Sequence, residues 1–157
     1  MDHREEMYQT ADKYFMDIII PYAPVNREAM QLVKKFRPFR KKDYGIYIEK
    51  YRELGEAAEQ ISMEHIAIPA EDKEAAQLKE AFDNSRKSFS LLCKRNLKFI
   101  EFQSKKSNGG EVSVEEFKEL SMGLTAILNT AGQDMDRLEQ IYRDMRGISA
   151  QEEQTTV

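Results

Sequence analysis

The chain predicts an all-α protein: an antiparallel helical bundle of three long helices with two shorter N-terminal ones. Three observations carry this. Apolar and small residues recur at spacings of four and three along two stretches. One holds Leu78, Phe82, Ser85, Phe89, Leu92, Asn96, Phe99 and Gln103. The other holds Phe117, Ser121, Leu124, Leu128, Ala131, Met135, Leu138, Tyr142 and Met145. That is the seam of paired helices, as in a coiled coil. Between them lies Ser107-Asn108-Gly109-Gly110, a short break that makes the flanking helices antiparallel neighbours. Nowhere does the sequence show a strand pattern.

The first helix opens at Asp2, which with Glu5 forms a candidate capping box, and carries Tyr8, Ala11, Phe15 and Ile18 on one face. Pro21 to Pro24 are expected to break it, because proline lacks the amide donor and restricts the residue before it. Asn26 is a candidate cap for a short second helix bearing Ala29, Met30, Val33 and Phe36, which Pro38 ends. Asp43 is a candidate cap for the third, with Tyr44, Tyr47 or Ile48, Tyr51, Leu54, Ala58, Ile61 and His65 on one face. Pro69 suits the first turn of the fourth helix, and Glu71, Asp72 and Glu74 favour its positive end. That helix runs to Lys106, roughly 50 Å at 1.5 Å per residue. Ser113 and Glu116 make a capping box for the fifth, and Gly147 can take its left-handed C-cap.

Folding the chain at 107–112 sets Phe89 against Ala131, Ser85 against Met135 and Phe82 against Leu138. Folding it at Ile68-Pro69 sets Ala58 near Phe82 and Leu54 near Ser85. Large meets small on both sides of the fourth helix, which is therefore the expected centre of the bundle. Residues 86–106 hold seven Lys or Arg and one acid, whereas 111–119 hold Glu111, Glu115, Glu116 and Glu119 against Lys118. Antiparallel packing brings these opposite charges to one end.

A chain of 157 residues, 41% hydrophobic and 33% charged, suits one globular domain. Residues 1–148 are expected to form it, with 149–157 a disordered polar tail. The longest aliphatic run, Ile18-Ile19-Ile20, is closed by Pro21, so no membrane span is expected. The acidic N-terminus does not resemble a signal peptide, and Cys93 is the only cysteine, so a cytoplasmic location is the expectation.

Candidate sites are few. Lys34, Lys35, Arg37, Arg40, Lys41 and Lys42 form a basic run interleaved with Phe36 and Phe39. Such a run suits nucleic acid, anionic lipid or an acidic partner, though charge runs are more often solvated linkers. Tyr44, Tyr47 and Tyr51 with His65 are candidates for a small-molecule pocket, against the plainer reading of bundle core. The chain has two His, at 3 and 65, and neither follows a Glu by three residues. A bundle metal centre needs several such inward ligands, so no metal site and no cofactor are expected. Cys93 reads as a small core residue rather than a nucleophile. No glycine-rich phosphate loop is present.

The expectation is therefore not an enzyme. It is a non-catalytic interaction or regulatory protein acting through a helical surface and self-associating, most simply as a dimer. The apolar set of the fifth helix, with Leu120, Ile127 and Ile141 beside its seam, is wider than one neighbour needs. A polyanion-binding module using residues 34–42 and a small-molecule-binding bundle are the alternatives.

Overall fold

The computed structural model of the chain describes residues 2–35 and 42–148. It is an all-α bundle built from α1 (His3–Tyr14), a π-helical turn (Phe15–Ile19), α2 (Ile20–Lys34), α3 (Gly45–Gln60), α4 (Lys73–Ser107) and α5 (Val114–Arg146). No strand occurs among the described residues.

The expected break at Pro21–Pro24 does not occur. α1 and α2 run on as one rod through the π turn, in which the Ile20 amide reaches back to the Phe15 carbonyl. A proline ring clashes with the carbonyl four residues before it in an α-helix. Widening the turn just ahead of Pro21 gives that ring room, a common role for a single π turn. Pro24 then sits inside α2, where the burial of Val25 and Ala29 offsets its forfeited ladder bond. Asn26 is consequently not a cap. It lies mid-helix and accepts a hydrogen bond from the Tyr51 hydroxyl at 2.9 Å.

Two other boundaries move. α3 stops at Gln60, and Ile61 is extended, so His65 is not on its face. Residues 61–72 cross the base of the bundle instead, anchored by the buried Met63 and Ile66. α4 begins at Lys73 rather than at Pro69, because Asp72 is the better cap: its carboxylate accepts the Ala75 amide at 3.2 Å. This long connection also corrects the α3–α4 register. Gly55 lies against Cys93 and Ser90, and Ala58 packs with Phe89 rather than Phe82, about two turns from the register of a tight turn.

The rest of the core follows the expected seam. Leu78, Phe82, Ser85, Phe89, Leu92, Asn96 and Phe99 are all buried on α4, and Gln103 is half-buried. Phe82 packs with Leu138 and Phe89 with Ala131. Ala75, Ala81, Ser88, Ser90, Cys93, Ile100 and Phe102 are buried on other faces of the same helix, which places α4 at the centre. Met7 clusters with Leu78 and Leu138 at the base, and Ala29 with Tyr44 and Ile100 at the top. The rod and α4 therefore run one way and α3 and α5 the other, an up-down-up-down bundle. Ser113 caps α5 through the Glu116 amide at 3.0 Å. At the far end Gly147 takes φ 69°, and the Ile148 amide closes on the Arg143 carbonyl at 2.9 Å.

Candidate functional site

Buried polar groups inside the bundle bond across helices, and these contacts fix how the helices are turned toward one another. The Asn96 amide donates to the Tyr22 hydroxyl at 2.8 Å, and the hydroxyls of Tyr14 and Ser85 meet at 3.0 Å. Burial raises the Tyr14, Tyr22 and Tyr51 hydroxyls well above the ordinary tyrosine range, so they stay neutral donors and acceptors. Burial likewise pushes the Cys93 thiol up to about 12, which denies it a thiolate at neutral pH. Among the described residues no three His, Cys, Asp or Glu side chains group so as to hold a metal ion. The buried tyrosine, serine and asparagine pairs act as a network that specifies which helix faces meet.

The rod is tied down at both ends of its lower half. At the base, Arg4 donates to both oxygens of Asp72 at 2.8 and 2.7 Å, and His3 Nε2 lies 2.6 Å from the same carboxylate. The clamp holds Asp72 ionised, far below the usual carboxylate range, chiefly through the Arg4 hydrogen bonds. About two turns up, Tyr142 of α5 donates to Asp12, and Arg146 donates to the Tyr142 hydroxyl at 2.6 Å. The Arg146 guanidinium also lies 5.1 Å from the centre of the Tyr8 ring, a cation–π contact. These contacts present the inner face of lower α5 to the rod and leave its outer face bare.

Of the sequence-derived candidates, Lys34, Lys35 and Lys42 lie among the described residues, and Arg37, Arg40 and Lys41 lie outside them. The Lys42 ammonium donates to the Val33 carbonyl at 2.9 Å, closing the C-terminal end of α2, and its amide donates to Ser107 Oγ at 3.2 Å. The structure does not bring Tyr44, Tyr47, Tyr51 and His65 together. Tyr44 and Tyr51 are core residues of the top layer, against which Tyr47 packs half-buried. His65 is exposed at the opposite end of α3, beside Gln60 and Ser62 on an open recess.

The wide apolar set of α5 is divided between two neighbours. Ile127, Ala131 and Leu138 are buried, and Leu120, Leu124, Met135 and Ile141 pack against the core clusters. Phe117 and Leu128, placed on the seam by spacing, are 42% and 49% exposed. They lie at its edge, because the buried line turns to follow α4 and the rod together.

The outer face holds what the apolar count overlooked. From Leu120 to Gln133, four turns carry no charged residue, in a chain that is 33% charged. Met122 there is 73% exposed, and Thr125, Ala126, Asn129, Thr130 and Gly132 are exposed around it. A Cβ added at Gly132 would meet nothing within 4 Å. Glycine inside a helix costs about 0.5–1 kcal/mol relative to alanine, and no contact among the described residues requires it here. By contrast Gly55 is held by the nearness of Cys93, and Gly123 by the Arg95 guanidinium lying over it. The signal was present in the sequence as missing charge, which an apolar tally does not register.

Comparison with protein families, with curated proteins and with solved structures finds no match.

Proposed function

We propose that the chain is a non-catalytic interaction protein whose working surface is the outer face of α5. The observation that carries this is the uncharged, exposed stretch from Leu120 to Gln133, with Met122 and Leu128 standing out of it. Solvated helix faces in such a charged chain carry Lys and Glu at short intervals, as the flanks of this stretch do. A charge-depleted helix face with projecting Met and Leu is the composition of an interface core. The chemistry of the interior agrees: its tyrosines and its thiol are neutral and paired or buried, which suits a rigid support for a binding face. The test is affinity capture by the full chain, compared with a Met122→Lys/Leu128→Lys variant of unchanged circular dichroism. Wild type should retain a partner, its own chain included, that the variant loses. Equal retention by both would refute the reading.

A second reading, a polyanion site, is favoured by one contact. The Lys42 amide bond to Ser107 Oγ seats the end of the basic run next to Lys105 and Lys106 at the close of α4. Two basic segments far apart in sequence thus share one end of the bundle. Retention on heparin or DNA at low salt, lost in an Arg37→Ala/Arg40→Ala/Lys41→Ala variant, would support it. Each phosphate contact would add about 0.9 to the slope of log affinity against log salt. Lys42 is left in place because its side chain closes α2.

A further inference from the structure

The occupant of the α5 face follows from the order of residues along it, and the inference rests on the reading of that face as an interface. The geometry points to a second copy of this chain, packed antiparallel through α5 about a two-fold axis at the level of residue 127. Lys118, Met122, Thr125, Asn129, Gly132 and Asp136 are all exposed and succeed one another at steps of four, three, four, three and four. This is a second seam, on the side of α5 away from α4, and no helix among the described residues fills it.

The stripe is complementary to its own reverse. Two copies laid antiparallel about residue 127 place Lys118 opposite Asp136 of the second copy, Met122 opposite Gly132, and Thr125 opposite Asn129. In an antiparallel pair, seam positions that follow a step of four face those that follow a step of three, and each pairing obeys that rule. Each is also chemically sound. Lys118 meets a carboxylate, and neither it nor Asp136 has an ion-pair partner among the described residues. Met122, the most exposed large apolar side chain of the described residues, meets the open space above Gly132. Thr125, whose hydroxyl donates to the Ser121 carbonyl at 2.9 Å, keeps its oxygen free to accept from the Asn129 amide of the second copy. On the flanks, Leu128 meets Leu128 of the second copy, and the small Ala126 meets Ala126, which lets the helices approach.

A parallel pair fails on the same residues. It sets Lys118 on Lys118, Asp136 on Asp136 and Met122 on Met122, and leaves a void between two copies of Gly132. An unrelated partner would have no reason to need one stripe whose two halves fit each other. The glycine that serves no contact among the described residues acquires one in the antiparallel pair, as the seat for Met122.

Sedimentation equilibrium of the full chain, from low to high micromolar, tests this. Wild type should be a monomer–dimer system. Gly132→Leu should weaken the dimer on the order of 30-fold, as for an interface hot spot. At a concentration where both are monomeric it should leave the thermal midpoint unchanged or raised, because the space above residue 132 is open in the monomer. Lys118→Glu and Asp136→Lys should each weaken the dimer, and the double exchange should restore it, which only the antiparallel register explains. Leu128→Cys should form a disulfide-linked dimer on mild oxidation. A wild type monomeric at high micromolar overturns the inference. So does a dimer indifferent to Gly132→Leu and to the charge exchange, which would place its interface elsewhere. A monomer that still captures another protein through Met122 and Leu128 overturns the second copy as occupant and leaves the α5 reading standing. A chain that does neither removes both.

Discussion

Phe89 and Phe117 stand on equivalent seam positions by spacing, and the structure separates them sharply. Phe89 is 4% exposed and packs among Ile18, Leu92, Ile127 and Ala131, with its ring 5.2 Å from Tyr22 in an edge-on arrangement. Phe117 is 42% exposed at the first turns of α5 and touches Phe99 and Phe102 only at its inner edge. Phe89→Ala removes a filled volume that neighbours on four sides cannot close. The expected loss is about 3–5 kcal/mol, the range for a buried aromatic truncation, of which about 0.5–1.5 reflects the edge-on ring contact. Phe117→Ala leaves its site open to water, so the expected loss is under about 1 kcal/mol. Near 2–4 °C per kcal/mol for a domain of this size, the thermal midpoints should fall by roughly 10 °C and by no more than about 3 °C. Circular dichroism melts and urea titrations of both variants, at one protein concentration, measure the difference. Equal losses, or a larger one for Phe117→Ala, would show that the central position of α4 and the edge position of Phe117 are wrong.

The base clamp carries a pH dependence. Its partners depress the Asp72 carboxyl, so its stabilisation is full above the unfolded carboxyl value of about 3.9 and is lost as pH falls through the lower folded value. The midpoint gap between wild type and Asp72→Asn should therefore be constant from neutral pH to about 5 and shrink below about 4. Gly55→Leu should cost about 1–3 kcal/mol in urea unfolding, because even a Cβ there lies 3.2 Å from that of Cys93 and a larger group must push α3 off α4. Cys93 should resist a thiol reagent at pH 8, reacting at the rate of opening and not in proportion to reagent; rapid second-order labelling would contradict its burial.

The bundle was legible because the residues of α4 obey one rule along its length. From Leu78 to Phe99 every seam residue expected to be buried is buried, polar Ser85 and Asn96 included. Their partners, Tyr14 and Tyr22, were not legible: they sit 71 and 74 residues away, and spacing says nothing about such pairs. Pro21 misled because a break and a π turn both answer a missing amide, and only the packing of Ile18 and Val25 on either side selects the turn. The α3–α4 register depended on the 61–72 connection, whose buried Met63 and Ile66 look like any loop residues in isolation. The tyrosine stripe and His65 share a helical period but not a helix, since α3 ends first. The outer face of α5 was readable, yet as an absence of charge rather than a pattern of apolar residues.

The lower half of the N-terminal rod is joined to the bundle by contacts that span great lengths of chain, whereas its upper half meets α3 close by in sequence, as in the Tyr51–Asn26 hydrogen bond. The hydrogen bonds of the lower half reach from Arg4 to Asp72, from Tyr14 to Ser85, and from Asp12 to Tyr142, 130 residues on. α3, α4 and α5, in contrast, are two successive hairpins. Closing a short loop costs less chain entropy than closing a long one, so hairpins form early and distant docking comes late. The topology therefore favours an order of assembly: α3, α4 and α5 gather first, and the lower half of the rod seals the open side of α4 last. The same order reversed makes that lower half the first segment to detach. When it lifts, the faces of Phe82, Phe89 and Leu138 are uncovered together. Amide exchange should accordingly be faster in α1 than at the middle of α4.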